Sequence, residues 1–501
     1  MSRARTIAWL PVGGALALCL GMSACTVGPN FKAPVVVAPG DWSQWRSGSG
    51  DVVAVPAGTQ AMPAQWWTLL GDPVLDDLER RALAASPDLQ TAALHYAQAR
   101  AQRGGIASAA LPQVNASGGV TRERMSENGA STRLFNALAG SNRDEITKVI
   151  GDPFTDYQAG FDAGWEIDLW GKVRRSVEAA DAGVDQQGAL LDLTRLAVTA
   201  EVAQAYFAMR SAQMQVRAAS DDISLLQSRV ELTRARMAGG LSDHAAIETD
   251  SASLRASQVG LPKARAEEAV QANRIAVALG VQPGGLRDLL KPAPFGPMPP
   301  GLPDMSLGLP SEVALRRPDV RAAEARLHAA TAQIGVATAD LYPSITLGGG
   351  FALESYRAQN LFDWASRTWQ IGPSLSLPLF DGGRRRAAVQ VRKLEEREAA
   401  VNFQVTVLKA WQEIDDALTG YTAEWQVRSD LAMRLDHAGA HAALVEARHR
   451  AGQVNYLPVI DARRAVVGAQ RDLDESDARL RTRLAAINKA IGNVPPSDPP
   501  A

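Results

Sequence analysis

Cys25 stands where covalent chemistry is predicted. Arg3 and Arg5 precede a mostly apolar stretch from Ile7 to Leu20, and Met22, Ser23 and Ala24 lead into the cysteine. A basic start, an apolar run and small residues make a secretory signal. A cysteine at its end makes the signal more specific than a secretory signal alone. The alternative is an ordinary secretory signal with a chance cysteine. Cys19 lies within the apolar run and leaves with it, so the mature chain is expected to hold neither a free thiol nor a disulfide. Elsewhere, His437 and His441 are spaced i, i+4, with His449 beyond. That spacing suits a metal on a helix and equally suits a solvated helix face. No Walker loop or HExxH stretch occurs, so no catalytic residue and no metal site is predicted. Asp162, Glu166 and Asp168 alternate with apolar residues, which places all three on one face of a strand.

The signal resembles a bacterial lipoprotein signal, with Met22 where leucine is usual. That resemblance implies a diacylglycerol and an N-acyl lipid on Cys25 and no other cofactor. Several acyl chains, at about 0.8 kcal/mol per buried CH₂, anchor a protein firmly. Thr26, standing where aspartate would favour inner-membrane retention, implies outer-membrane sorting.

The formal charge of −2 over 501 residues leaves no basic field for nucleic acid. Past the signal there is no apolar run of about 18 residues, the length a membrane helix needs. Segmentation follows composition. Residues 1–24 are the signal and 25–65 a Pro-, Gly- and Ser-rich tether. Residues 66–282 form a first structural unit, 283–310 a proline-rich connector, 311–492 a second unit and 493–501 a disordered tail. The eight prolines from Pro283 to Pro310 preclude a regular helix there.

The two units carry matching landmarks. Pro87-Asp88 and Leu111-Pro112 recur 231 residues later as Pro318-Asp319 and Tyr342-Pro343. Ala238-Gly239 recurs as Ala451-Gly452. Each unit is expected to run helix, strand pair, long helix, shorter helix. Period-two alternation marks four strands: Val114 to Val120, Tyr157 to Leu169, Ile345 to Leu353 and Trp369 to Leu379. About ten residues each, they suit tilted strands crossing a bilayer. Four strands cannot close a barrel, and open edges are not tolerated in lipid, so several chains must share one barrel. From Lys172 to Met237 no proline occurs, and a heptad runs through Val198, Val202, Ala205, Met209, Ala212, Val216, Ala219, Ile223, Leu226, Val230, Thr233 and Met237. Ile414, Leu418, Tyr421, Trp425, Ala432 and Leu435 keep similar spacing. Gly239-Gly240 and Ala451-Gly452 then mark helical hairpin tips.

Local motifs carry a family resemblance over nearly the whole chain. They include Cys25-Thr-Val-Gly-Pro-Asn-Phe-Lys-Ala-Pro34, Trp66-Trp67, Leu70-Gly71-Asp72-Pro73 and Asp168-Leu-Trp-Gly-Lys-Val-Arg174. Pro378-Leu-Phe-Asp-Gly-Gly-Arg384 and Arg448-His-Arg-Ala-Gly-Gln-Val-Asn-Tyr456 complete the set. The chain resembles the TolC-like outer membrane factors, in particular the NodT-type efflux lipoproteins. The resemblance implies a homotrimer: a mixed α/β membrane protein with a 12-stranded β-barrel, four strands per chain, continuing into an α-helical coiled-coil barrel. It also implies an outer-membrane efflux channel served by a periplasmic adaptor and an inner-membrane resistance-nodulation-division pump. By motif position, Arg448, His449, Leu457 and Asp461 fall at a periplasmic gate, although the family often has tyrosine where His449 stands. Three copies of Asp162, Glu166 and Asp168 would line an acidic lumen. Drugs, metal ions and secreted proteins are all possible cargoes on this scaffold. A structural coiled-coil lipoprotein is the competing class; it accounts for Cys25 and the heptads but not for four amphipathic strands.

Overall fold

The computed structural model describes residues 26–36, 60–129, 133, 143–296, 305–306 and 310–496. Cys25, the signal, most of the tether, parts of the connector and the end of the tail lie outside the described residues. In chain order the elements are β1 (Gln60–Ala61), α1 (Pro73–Ala85), α2 (Pro87–Ala107), β2 (Gln113–Glu123), α3 (Arg143–Gly151), β3 (Phe154–Ile167), α4 (Lys172–Ala238) and α5 (His244–Ala278). There follow β4 (Met305–Ser306), α6 (Pro310–Arg316), α7 (Pro318–Ala339), β5 (Ser344–Ser355), β6 (Arg367–Ser376), α8 (Arg384–Arg450) and α9 (Leu457–Ala490). No described helix is long and apolar enough to cross a membrane.

The chain divides into two compact units. One, residues 1–32, 99–183 and 327–399, is built around an antiparallel sheet of order β2-β3-β5-β6. Rows of paired residues cross all four strands. Ala116, Phe161, Phe351 and Trp369 form one row, and beside it Asn115, Asp162, Gly350 and Gln370 form the next, on the opposite face. Alternation therefore sorts an apolar face from a polar one. Phe161 is 61% exposed and Trp369 71%, so the apolar face lies uncovered. Every residue of the edge strands β2 and β6 is exposed. The strands extend by one to three residues beyond the expected span at their other ends, but two of them stop short. β3 stops at Ile167 because Asp168 is drawn into the start of α4. β6 stops at Ser376 rather than Leu379, since Pro378 has no amide to give the ladder.

The other unit, residues 33–98, 184–326 and 400–501, is helical. Its core gathers Trp66, Leu75, Leu78, Val202, Tyr206, Met209, Ile275, Leu418, Tyr421 and Leu484. The heptad positions from Val198 to Met237 are buried or half-buried throughout, as a sustained seven-residue seam requires. α4 and α8 each run 67 residues, about 100 Å at 1.5 Å per residue. No heptad signals α1; Asp72 starts it by accepting from the Val74 and Leu75 amides at 3.0 and 3.3 Å, with Pro73 in its first turn. Within the connector, β4 pairs in parallel with β1.

Candidate functional site

On the polar face of the sheet, Asp162 accepts from Asn115 Nδ2 at 3.1 Å. Glu166 faces the same way, opposite Thr346. Gly160, Gly164, Gly348, Gly350 and Gly372 fill much of the remaining face. Space there is short: a Cβ on Gly160 would come within 2.6 Å of the Ala352 Cβ. Asp168 has a different task from its two neighbours. Its carboxylate accepts from the Val173 and Arg174 amides, both at 3.0 Å, and so caps the first turn of α4. Asp381 does the same for α8, accepting from the Gly383 and Arg385 amides at 3.0 and 3.2 Å. Each strand-to-long-helix junction is thus set by an aspartate, which explains the Asp168 and Asp381 motifs.

The segment after Cys25 is built into the first of these junctions. The Val27 amide donates to the Trp170 carbonyl at 3.1 Å. Arg175, 3% exposed, donates to the Val27 carbonyl at 3.3 Å, to Asn30 Oδ1 at 2.7 Å and to Glu178 at 2.7 Å. Phe31 stacks on the His328 ring with centroids 4.3 Å apart, and His328 Nε2 meets Glu178 Oε1 at 3.1 Å. Gly28 has φ +92°, and a Cβ there would sit 2.5 Å from the Gly335 Cα. Glycine is therefore required on both counts. The Val-Gly-Pro-Asn-Phe motif docks residues 27–31 onto the starting turns of α4 and onto α7.

At the hairpin ends, α4 and α8 finish alike. Gly240 (φ +75°) and Gly452 (φ +70°) take the left-handed conformation. The following amides, Leu241 and Gln453, reach back to the Arg236 and Arg448 carbonyls at 2.7 and 2.9 Å. Gly239 precedes the first of these turns and donates to the Ala235 carbonyl at 3.1 Å. The Arg448 side chain is exposed. His449 Nδ1 lies 2.9 Å from the Val454 carbonyl, and its ring lies 5.3 Å from that of Tyr456. Leu457 opens α9 and is half-buried. Asp461 is half-exposed and ion-paired with Arg229 of α4. Arg229 also holds Asp250 of α5 at 2.6 Å, and Asp250 accepts from Thr233 at 2.7 Å. Sequence reasoning misses Arg229 and Asp250, because neither stands in a motif. A partial signal exists: Thr233 is the polar break in an otherwise apolar heptad. His437 and His441 join no metal-holding group of three or more ligands among the described residues.

A polar cluster lies within the helical core. Tyr206 donates to Asp72 at 2.5 Å, Arg210 donates to the Tyr206 hydroxyl at 3.0 Å, and Gln213 accepts from Arg210 at 2.9 Å. Burial raises the Tyr206 phenol and pushes that of Tyr421 up to about 12. Glu79, fully buried on α1, has no hydrogen-bond partner for either carboxylate oxygen among the described residues. Burial first, then nearby Asp76, pushes its carboxyl well above the usual range, so it is neutral where most carboxylates are charged.

A family model described as outer membrane efflux protein matches residues 78–281 and 309–493. The chain belongs to that family. Nodulation protein T of Rhizobium leguminosarum bv. viciae is 28% identical over 477 residues, 95% of this chain and 92% of the relative. Outer membrane protein OprJ of Pseudomonas aeruginosa is 28% identical over 481 residues, 95% of each. Among solved structures, the outer-membrane channel OprN superposes with a TM-score of 0.79 at 28% identity, covering 94% of this chain and 99% of that one. The open-state MtrE channel of Neisseria gonorrhoeae gives a TM-score of 0.72 at 25% identity, covering 95% of this chain and all of that one. The protein is an outer-membrane efflux channel component, and the purely structural lipoprotein is set aside. The sheet thus offers one apolar and one polar face, the two kinds of surface that a barrel wall presents to lipid and to a lumen.

Proposed function

We propose that three copies of the chain close a 12-stranded barrel and pass small toxic compounds outward without catalysis. A periplasmic adaptor and an inner-membrane resistance-nodulation-division pump supply cargo and energy, and lipid on Cys25 anchors each copy. One observation carries the shared barrel: the four-stranded sheet has two open edges and an uncovered apolar face. In a bilayer every unpaired amide costs several kcal/mol, so β6 of one copy must pair with β2 of the next. The strands alternate in direction, so that seam is again antiparallel and any number of copies gives an even barrel. Apart from the short α3 between β2 and β3, the order helix, strand, strand, 67-residue helix, helix occurs in residues 87–278 and 318–490, which supports descent from one duplicated unit. Relatives named for antibiotic, toluene, pyoverdine and cation efflux share the scaffold. That range supports a permissive conduit whose cargo is selected by the pump.

The seam is testable by cysteine pairing, with Cys25 acylated and Cys19 removed. Ser117→Cys on β2 is combined in turn with Thr368→Cys, Gln370→Cys, Gly372→Cys and Ser374→Cys on β6. At least one pair is expected to give a disulfide ladder ending at three chains. A ladder ending at another number, or none from any pair, overturns the trimer.

A further inference from the structure

The outer end of the sheet carries arginines on the wrong face for a lumen. On β2, Arg122 follows Val114, Ala116, Gly118 and Val120 along the apolar face. On β6, Arg367 precedes Trp369, Ile371 and Leu375 along that same face. β2 is entered from α2, and β6 leads into α8, at the opposite end, so both arginines lie at the end remote from the starts of α4 and α8. From Val114 to Arg122, and from Leu375 back to Arg367, the strand covers an equal stretch of about 27 Å at ~3.4 Å per residue. Tilted, that length matches an apolar band of about 25 Å. Each arginine therefore sits at the outer boundary of the lipid-facing stripe.

Neither is ion-paired among the described residues. Arg122 Nη1 donates to Thr155 Oγ1 at 3.4 Å, and Arg367 donates to the Trp364 carbonyl at 2.5 Å while its guanidinium stacks 4.3 Å from the Trp364 ring. The strand carboxylates at this end are on the other face: Glu123 and Glu354 alternate away from the stripe, as does Asp156, and Asp363 in the β5–β6 connection forms no ion pair with either arginine among the described residues. Arg357, exposed just past the end of β5, adds a third guanidinium 5.2 Å from the Tyr356 ring. Phe362 and Trp364, 79% and 72% exposed, flank them. Guanidinium groups at a membrane boundary, two of them held by aromatic rings and none ion-paired among the described residues, call for an anion from the lipid side.

We propose that Arg122 and Arg367 bind the phosphorylated headgroup of an outer-leaflet glycolipid, with Trp364 and Phe362 against its apolar part. The site rests on the closed ring proposed above, because only there does the β6 edge of one copy meet the β2 edge of the next and bring the two arginines to one seam. The headgroup then bridges copies and stabilises the assembly.

The test uses the full-length acylated protein in neutral detergent. Size measurement first establishes the oligomer; a lone monomer refutes the ring itself, a result distinct from any outcome of lipid binding. Bisphosphorylated lipid A, chemically dephosphorylated lipid A or inorganic phosphate is then added, and retained lipid is counted by native mass spectrometry alongside the melting temperature of the oligomer. Binding of the bisphosphorylated form at least tenfold tighter than the dephosphorylated form, with a raised melting temperature, is expected. The Arg122→Gln/Arg367→Gln protein should lose that preference. Equal binding of the two lipids to the wild-type chain overturns the proposal even if the double variant fails to fold. A double variant that retains the full preference overturns it too, as does stabilisation by inorganic phosphate alone, which would mark a soluble-anion site.

Discussion

Glu79 shows how one side chain sets a pH dependence. Its carboxyl is raised above the ordinary 4.5 by burial and by Asp76. Below that value it is neutral whether the chain is folded or unfolded. As pH rises, the unfolded chain ionises first while the folded chain keeps its proton, so stability falls until the folded group ionises as well. Glu79→Gln is neutral at every pH and removes that slope. Its melting temperature should match wild type near pH 4 and exceed it at pH 8 by roughly 2–4 °C for each kcal/mol gained; an unchanged or lower value at pH 8 would show that the carboxylate is charged in the fold. Cys25 is tested differently. Cys25→Ala should leave the Val27–Phe31 docking contacts in place yet abolish incorporation of labelled palmitate and reduce recovery in the outer-membrane fraction. Continued labelling would place the acyl chain elsewhere.

At the scale of elements, the sequence is readable where local chemistry repeats. The heptad from Val198 to Met237 predicts a helix whose observed end differs by one residue, and period-two alternation finds all four long strands. It is less readable where tertiary contacts decide. Asp168 shares the alternation of Asp162 and Glu166, but alternation is silent on whether a carboxylate faces water or caps a helix; the amides of Val173 and Arg174 decide that. Asp461 stands near a motif, while its partner Arg229, 232 residues away in sequence, does not. That pair joins α9 to α4, and Arg229 also joins α4 to α5. Because Asp461 is half-exposed, the link is worth at most about 1 kcal/mol in stability. Asp461→Asn should therefore leave the melting temperature nearly unchanged. If the hairpin ends form the gate, the same change should raise the open probability of single channels in planar bilayers. A melting loss without a conductance change would make the pair a plain structural brace.

For the whole molecule, if the polar face of the sheet lines the lumen, that face governs ion preference. Asp162 and Glu166 lie on that face of every copy, and among its nearest neighbours Asn115 and Thr346 are neutral. Three copies place six carboxylates around one wall, whereas Asp168 belongs to the α4 cap with Arg174 at 3.3 Å and contributes less field. A ring of carboxylates attracts cations, and the effect is screened beyond about 10 Å at 0.1 M salt. The channel should therefore favour K⁺ over Cl⁻, more strongly in dilute than in concentrated salt. Asp162→Asn with Glu166→Gln should bring the reversal potential in a KCl gradient close to zero, while Asp168→Asn should shift it less and cost helix stability instead. An anion-selective wild-type pore, or a double variant with undiminished cation preference, would remove these carboxylates from the conduction path.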